Sequence, residues 1–147
     1  MNDLSIYFKP CVSENLEFDE EQMGQILVSN FGDFPTLESD SIAIFSVPEF
    51  RGDSNEPVIE SESYFRKELL QLSRSKNWKR KIYDLGTIVP GENLNDTYFA
   101  ISNVTSELIK NRIIPILVGG SQDLIVATHD AYAKLEQLLN ICSIDYS

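Results

Sequence analysis

Gly119 and Gly120 follow the apolar run at residues 113–118 and mark the first candidate site for binding a ligand. Because neither glycine carries a Cβ atom, the backbone can turn sharply there and another group can come close to it. Ser121 is a suitable helix cap, and Asp123 lies where a helix N-terminus favours negative charge. The pattern predicts a strand-to-helix corner at the carboxyl edge of a sheet, where open α/β folds place their ligands. A plain βα turn with a helix cap explains the same residues.

A carboxylate at the end of another apolar stretch is the sharpest single candidate. Asp145 follows the residues NICSI at positions 140–144, so it would stand at the carboxyl end of a strand beside the glycine corner. Asp is an oxygen ligand suited to manganese, magnesium or zinc. A carboxylate at a strand end also serves as a helix cap or as a hydrogen-bonding loop residue, and that alternative stays open.

A long polar segment at residues 49–62 is a further candidate, because loops of this length in compact domains are often functional. It contains the triplet Arg51, Gly52 and Asp53, shortly after a predicted buried strand. Arg51 and Asp53 are therefore candidates for binding a substrate or for holding the loop. The same triplet is an adhesion tripeptide, but a loop at the end of a strand explains it more simply.

The elements that must position these residues follow from hydrophobic periodicity and from turn signals. Unbroken apolar runs predict buried strands, whereas apolar residues at helical spacing predict amphipathic helices. The order is βαβαβαβ, which requires a parallel sheet with right-handed crossovers and hence an α/β fold. The predicted strands are residues 42–47, 81–85, 113–118 and 140–144, and the predicted helices are residues 63–73, about 93–111 and a segment that begins after Gly120.

Residues 1–40 are interpreted as an N-terminal extension over the main sheet, and residues 41–147 as the N-terminal part of a regular α/β domain. A short helix is predicted within the extension at residues 19–29. The chain stops soon after a strand that should be central and buried. We therefore expect further strands and helices to follow in a longer parent protein.

Composition limits the classes to which the chain can belong. Its 147 residues are 42% hydrophobic, enough for the core of one domain, and its net charge is −11. A surface this acidic repels phosphates, so neither nucleic acid nor an anionic membrane is expected as a partner. No apolar run is long enough to span a membrane, and the N-terminus lacks the pattern of a signal peptide. Cys11 and Cys142 lie far apart in the sequence and fit a reducing cytoplasm.

His129 and Trp78 are weaker candidates for a functional site. His129 is the only histidine and lies in the middle of a predicted helix, and one imidazole does not make a site. Trp78 lies among the basic residues at positions 76–81. Because the chain as a whole is acidic, a packed turn or a contact with a partner is the simpler interpretation of that tryptophan.

Taken together, the motifs resemble those of the ureohydrolases, the family of arginase, agmatinase and formimidoylglutamase, and most of all its bacterial formimidoylglutamase-like branch. The corner IPILVGGSQD is similar to a family strand that ends in Gly-Gly-Asp-His or Gly-Gly-Ser-His. The stretch NICSIDYS is similar to a later strand that ends in Asp-Ala-His-x-Asp. Supporting similarities are VPEFRGD at residues 47–53, Arg66 within FRKELLQL, and DLG at residues 84–86. The resemblance runs from about Ile42 to Ser147.

This resemblance implies a three-layer αβα sandwich, incomplete at the C-terminus, and a hydrolase that uses two manganese ions on linear amidine or guanidino C–N bonds. Gln122 stands at the position of the first motif's histidine. Asp145 stands at the leading aspartate of the second motif, and Ser147 stands at that motif's histidine. Because a neutral amide oxygen is a weak ligand, we expect this chain alone to bind no manganese tightly and to be inactive.

Three hypotheses follow. The first is a domain that hydrolyses a small amidine such as formimidoyl-glutamate, and the second is a non-catalytic structural or assembly protein with the same fold. The third, which is weaker, is a nucleotide-binding module that holds phosphate at the glycine corner, although no G-x-G-x-x-G or Walker pattern is present. The sequence assigns no catalytic residue. The resemblance also implies a homo-oligomer.

Overall fold

The computed structural model describes residues 3–12, 17–52 and 61–136. Within those ranges the chain forms five strands and three α-helices, namely β1 (Phe8–Lys9), β2 (Leu27–Ser29), β3 (Ile42–Ser46), α1 (Ser61–Gln71), β4 (Ile82–Ile88), α2 (Leu94–Lys110), β5 (Ile114–Val118) and α3 (Ile125–Ala133). Short 3₁₀ turns lie at Ser5–Tyr7, Met23–Gln25 and Gln122–Leu124. The predicted strand at residues 140–144 lies outside the described residues, as do Asp53, Asp145 and Ser147.

The strands form one mixed sheet in which β3 lies between β4 and β5. β3 runs parallel to both neighbours, with Ile42 opposite Ile82 of β4 and Ile114 of β5. The other edge of β4 is shared, because β2 pairs in parallel with its first half and β1 pairs in antiparallel orientation with its last two residues. The predicted α/β class is therefore confirmed. The parallel order holds from β2 to β5, and β1 is the exception.

Apolar side chains alternate along β3 and β4, so the sheet packs against helices on both faces. One face packs against α2 and α3, and the opposite face packs against α1. The first face contributes Ala43, Phe45, Tyr83 and Leu85, which meet Ala100, Ile101, Val104, Leu108 and Ala127. The second contributes Ile44 and Ile82, which meet Phe65 and Leu69. Within the described ranges, no helix combines the length and the apolar character needed to cross a bilayer.

The longest helix, α2, agrees closely with its prediction at residues 93–111. The Asn93 side chain accepts a hydrogen bond from the Asp96 amide, and the Asp96 carboxylate accepts one from the Asn93 amide. Ala100, Val104 and Leu108 form a buried stripe at helical spacing. A reciprocal cap and a regular apolar stripe are both local signals, which explains why the sequence locates this helix well.

One helical prediction is wrong, and another helix ends earlier than predicted. Residues 19–29 form a 3₁₀ turn at Met23–Gln25 and then β2, because pairing with β4 satisfies backbone groups that a helix would otherwise satisfy within itself. The helix predicted at residues 63–73 forms as α1 but ends at Gln71, so Leu72 lies beyond it and is 58% exposed.

The first forty residues join the sheet at its edge, whereas the sequence suggests an extension over the sheet. Both β1 and β2 pair with β4. Asn30 strengthens this attachment: its amide donates to the Asp84 carbonyl at 2.9 Å, and its side chain donates to the Leu85 carbonyl at 3.0 Å. The division of the chain at residue 40 stays a prediction.

An ion pair between Arg66 of α1 and Asp84 of β4 lies beneath α1. Arg66 Nε donates to Asp84 Oδ2 at 2.7 Å, and Arg66 Nη2 donates to Asp84 Oδ1 at 3.2 Å. The two side chains are only 16% and 5% exposed. Asp84 Oδ1 also accepts the Gly86 amide at 2.9 Å. This largely buried pair fixes α1 on the sheet.

We expect Asp84→Asn to lower the free energy of unfolding by about 3–5 kcal/mol, because it removes the negative charge that the buried Arg66 guanidinium faces. Urea denaturation followed by circular dichroism measures the loss. Asp40→Asn is the matched control, because Asp40 pairs with Arg112 at the surface, where both side chains are mostly exposed. It should change stability little. Equal losses in the two variants would contradict a structural role for the buried pair.

Candidate functional site

The carboxyl ends of β3 and β5 lie side by side and carry the corner that the sequence predicts. The Val47 amide donates to the Val118 carbonyl at 3.1 Å. Just beyond this bond, the Glu49 carbonyl accepts the Ser121 amide at 2.9 Å and the Ser121 hydroxyl at 3.1 Å. We call this junction the β3–β5 joint, which comprises residues 47–52 and 118–123.

The glycine pair allows the two segments of the joint to approach each other. Gly119 and Gly120 have φ angles of +85° and +79°. A Cβ atom on Gly120 would lie 2.8 Å from the Val47 carbonyl oxygen and 3.0 Å from that of Glu49, closer than side chains normally come. The group that comes close to the glycine pair is therefore the backbone of Val47 and Glu49, just after β3. This geometry supports the interpretation of the corner as a βα turn.

Ser121 precedes the 3₁₀ turn at Gln122–Leu124, but its side chain makes no cap hydrogen bond there. Its hydroxyl donates to the Glu49 carbonyl instead. The Ser121 amide, which a phosphate at this corner would need, donates to the same carbonyl. These two bonds argue against the phosphate-binding hypothesis.

Glu49 is the most buried charged residue of the joint, with 2% of its surface exposed. Its carboxylate accepts hydrogen bonds from the Arg51 guanidinium, from the Arg51 amide at 2.9 Å and from the Thr97 hydroxyl at 2.9 Å. The bonds from Arg51 and Thr97 favour the charged form and outweigh burial, so they lower the pKa of Glu49 to about 2. Glu49 is therefore a carboxylate throughout the physiological range.

Arg51 links the exit of β3 to the loop before α2. Besides the bonds to Glu49, its Nη1 donates to the Glu92 carbonyl at 2.8 Å and its Nη2 donates to the Gly91 carbonyl at 3.0 Å. The same bonds to Glu49 raise the pKa of Arg51. Of the two roles predicted for Arg51, substrate binding and holding the loop, these contacts favour the second.

Asp123 connects the other half of the joint to α2. Its Oδ2 accepts a short hydrogen bond from the Tyr98 hydroxyl. This bond, together with burial, raises the pKa of Tyr98 to about 12. Asp123 also packs against Gly52, where a Cβ atom would collide with the carboxylate. Its Oδ1 is buried and has no hydrogen-bond partner within the described part of the chain.

Among the remaining candidates that the structure describes, Gln122 lies in the joint and His129 does not. Gln122 is exposed at the start of the 3₁₀ turn. Asp53, Asp145 and Ser147 lie outside the described residues. His129 is about half exposed, and its Nδ1 lies 3.8 Å from a carboxylate oxygen of Asp130. Among residues 3–12, 17–52 and 61–136, no three His, Cys, Asp or Glu side chains come together as metal ligands.

Sequence reasoning missed Glu49, Thr97 and Tyr98 as members of the joint. A carboxylate two residues before an arginine, directly after a buried strand, is a local signal for the Glu49–Arg51 pair. No local signal connects either residue with Thr97, because that contact spans 48 positions of the chain. The link between Tyr98 and Asp123 is likewise visible only in three dimensions.

The contribution of Glu49 to stability should depend on pH. Its pKa is about 2 in the folded chain and 4.5 as a reference value, so the contribution is complete above pH 4.5 and is lost as the pH falls towards 2. The shift corresponds to about 3 kcal/mol, and solvent screening at the partly exposed Arg51 lowers this to about 1–2 kcal/mol.

Urea denaturation of the wild-type chain and of Glu49→Gln, from pH 7 down to pH 2, tests this expectation. The difference in the free energy of unfolding should be largest near neutral pH and should shrink below pH 4.5. Glu92→Gln, in the same region but with an exposed side chain, is the control. A Glu49→Gln difference that stays constant with pH would contradict the assigned pairing.

Comparison with known proteins identifies the type of fold. No protein-family model and no curated protein matches the sequence at a significant level. Among solved structures, the chain is similar to formimidoylglutamase from Bacillus subtilis subsp. subtilis str. 168, with a TM-score of 0.66 and 17% sequence identity. The match covers 91% of this chain and 44% of that chain, so the chain spans less than half the length of that protein. The likeness shows an arginase-like α/β fold.

Proposed function

We propose that this chain is an arginase-fold domain that has lost two-manganese hydrolysis of amidines and serves as a structural or assembly unit. The observation that carries the proposal is Gln122, which stands just after the Gly-Gly-Ser corner where the ureohydrolase motif has a ligand histidine. A neutral amide oxygen binds a divalent transition ion more weakly than an imidazole does.

The bonds of the β3–β5 joint support this proposal, because its charged groups hold backbone segments together. Glu49 is bonded to Arg51 and Thr97, and Arg51 is bonded to two carbonyls before α2. Asp123 is bonded to Tyr98, on the same helix. Because these groups are bonded to one another, they do not fit a pair of manganese ions.

The second candidate is a metal-dependent hydrolase of a small amidine, for example formimidoyl-glutamate. It is favoured by the similarity of fold to formimidoylglutamase. Asp145, together with further carboxylates, would have to provide the ligands. Manganese binding, assembly into a homo-oligomer and a cytoplasmic location belong to this candidate as proposals.

Isothermal titration with Mn²⁺ separates the two candidates. For the wild-type chain, we expect no tight binding of two ions, because Gln122 and Ser147 stand where imidazoles are required. Gln122→His combined with Ser147→His should raise the affinity for Mn²⁺, since neutral imidazole is a better ligand than either replaced group.

Gln122→Asn with the wild-type Ser147 is the matched control, because it changes the side chain at position 122 but keeps a neutral amide. Circular dichroism checks that all variants fold. Tight binding of two Mn²⁺ ions by the wild-type chain, or hydrolysis of formimidoyl-glutamate by it, would refute the proposal. Equal affinity in the histidine variant and in the control would show that the positions are aligned wrongly with the family motif.

A further inference from the structure

The segment between α1 and β4 that spans residues 74–81 is strongly basic in an otherwise acidic chain. We call it the Trp78 loop. It has no Asp or Glu, although the net charge of the whole chain is −11. Such a local excess of positive charge attracts anionic groups at short range. Its basic residues are Arg74, Lys76, Lys79, Arg80 and Lys81.

The Trp78 loop lies at the edge of the sheet opposite to the β3–β5 joint. It leads into the amino end of β4, which pairs with the amino ends of β2 and β3. The Lys81 carbonyl accepts the Ile42 amide, at the start of β3, at 3.0 Å. The joint begins after the last residue of β3, and a strand of this length spans roughly 15 Å. The two surfaces are therefore separate.

Hydrogen bonds hold the loop in one conformation around Trp78. The Trp78 amide donates to the Ser75 carbonyl at 3.0 Å, and the indole Nε1 donates to the Arg80 carbonyl at 2.6 Å. At the start of the loop, the Arg74 amide donates to the Glu21 carbonyl at 2.7 Å. Trp78 is 39% exposed, and its one polar side-chain atom is already bonded within the loop. The exposed part of the indole is therefore an apolar ring surface that a partner can cover.

The cations around this ring are available for further contacts. Lys79 and Arg80 are exposed, and no ion pair involves either of them within the described part of the chain. Lys76 and Lys81 each pair with a glutamate outside the loop, but all four side chains are more than half exposed. Exposed pairs of this kind contribute little to stability, so exchanging their partners costs little.

Exposed carboxylates that adjoin the loop limit the shape of an anionic partner. Glu20, Glu21 and Glu38 are exposed, and each bonds to a basic residue of the loop through its carbonyl or its carboxylate. A long nucleic acid or a flat anionic membrane would meet these acids as well as the cations. A short acidic segment can reach the cations alone, because charges further away than about 10 Å are screened at 0.1 M salt.

We infer that the Trp78 loop binds a short acidic segment of a partner protein. Carboxylates of that segment pair with Lys79 and Arg80, and its apolar side chains cover the exposed ring of Trp78. The inference goes beyond the proposed function, because this surface lies away from the β3–β5 joint and is present whether or not a metal binds there.

Fluorescence of Trp78 tests the inference directly, because it is the only tryptophan of the chain. The probe is a synthetic peptide in which Glu and Asp alternate with Leu and Phe. Titration of the 147-residue chain with this peptide should shift the emission to shorter wavelength and reduce quenching by acrylamide, since the ring becomes covered. The dissociation constant should rise with NaCl concentration. A peptide with Gln and Asn in place of the acids should leave the emission unchanged.

Lys79→Glu combined with Arg80→Glu should weaken binding of the acidic peptide about tenfold or more, because like charges then face each other. Lys9→Glu combined with Lys67→Glu is the matched control. It changes the net charge by the same amount at exposed positions outside the loop, and it should retain most of the affinity. Circular dichroism checks that both double variants fold.

No change in Trp78 emission with the acidic peptide would overturn the inference, and so would equal weakening in the two double variants. A shift with phosphatidylserine vesicles but not with the peptide would assign the loop to a membrane instead. A shift that grows with protein concentration alone, together with a dimer in light scattering, would assign it to a second copy. None of these results depends on Mn²⁺ titration, so the inference and the proposed function can fail separately.

Discussion

The exit of β3 and the turn after β5 are held closer together than a side chain at Gly120 would allow. A Cβ atom on Gly120 would lie 3.0 Å from the Glu49 carbonyl oxygen. The same oxygen accepts hydrogen bonds from the amide and from the hydroxyl of Ser121. This close approach fixes the relative positions of two neighbouring parallel strands at their carboxyl ends. Arg51 and Asp123 lie within two residues of this contact, one on each of the two segments.

The charged side chains of the joint extend this contact to α2. Arg51 reaches the carbonyls of the loop before α2, and Glu49 receives the Thr97 hydroxyl from the first turn of the helix. Tyr98, the next residue, donates to Asp123. Two adjacent residues of α2 thus bind the two halves of the joint. Open α/β folds commonly bind ligands at the carboxyl edge of the sheet. In this chain the side chains at that edge connect the segment after β3, the turn after β5 and α2.

The sequence predicts the parts of the fold that depend on local signals. The unbroken apolar runs locate β3 and β5, and the cap at Asn93 with the stripe through Val104 locates α2. The strand predicted at residues 81–85 is found as β4, but it continues past Gly86 to Ile88. Residues 19–29 were misassigned because the apolar spacing there fits a helix, whereas pairing with β4 determines the observed strand. That pairing joins positions far apart in the chain, and periodicity carries no information about it.

The same limit applies to the candidate site. The glycine corner and the loop containing Arg51 were predicted from residue types, and both lie at the joint. The partners that define their roles, Thr97 and Tyr98, come from a helix whose first turn shows only a capping pattern in the sequence. A glutamine at position 122 is visible in the sequence at once, but only the structure shows that its neighbours Ser121 and Asp123 are bonded within the scaffold.

We propose that the corner around Gln122 lacks the donors for paired manganese ions, since Ser121 and Asp123 beside it are bonded within the protein. Diffraction from crystals of the chain soaked in MnCl₂, recorded at the manganese absorption edge, tests it most directly. The account predicts no pair of anomalous peaks beside Gln122 and intact bonds from Ser121 to the Glu49 carbonyl. Two neighbouring manganese peaks at that corner, coordinated by residues of this chain, would contradict it.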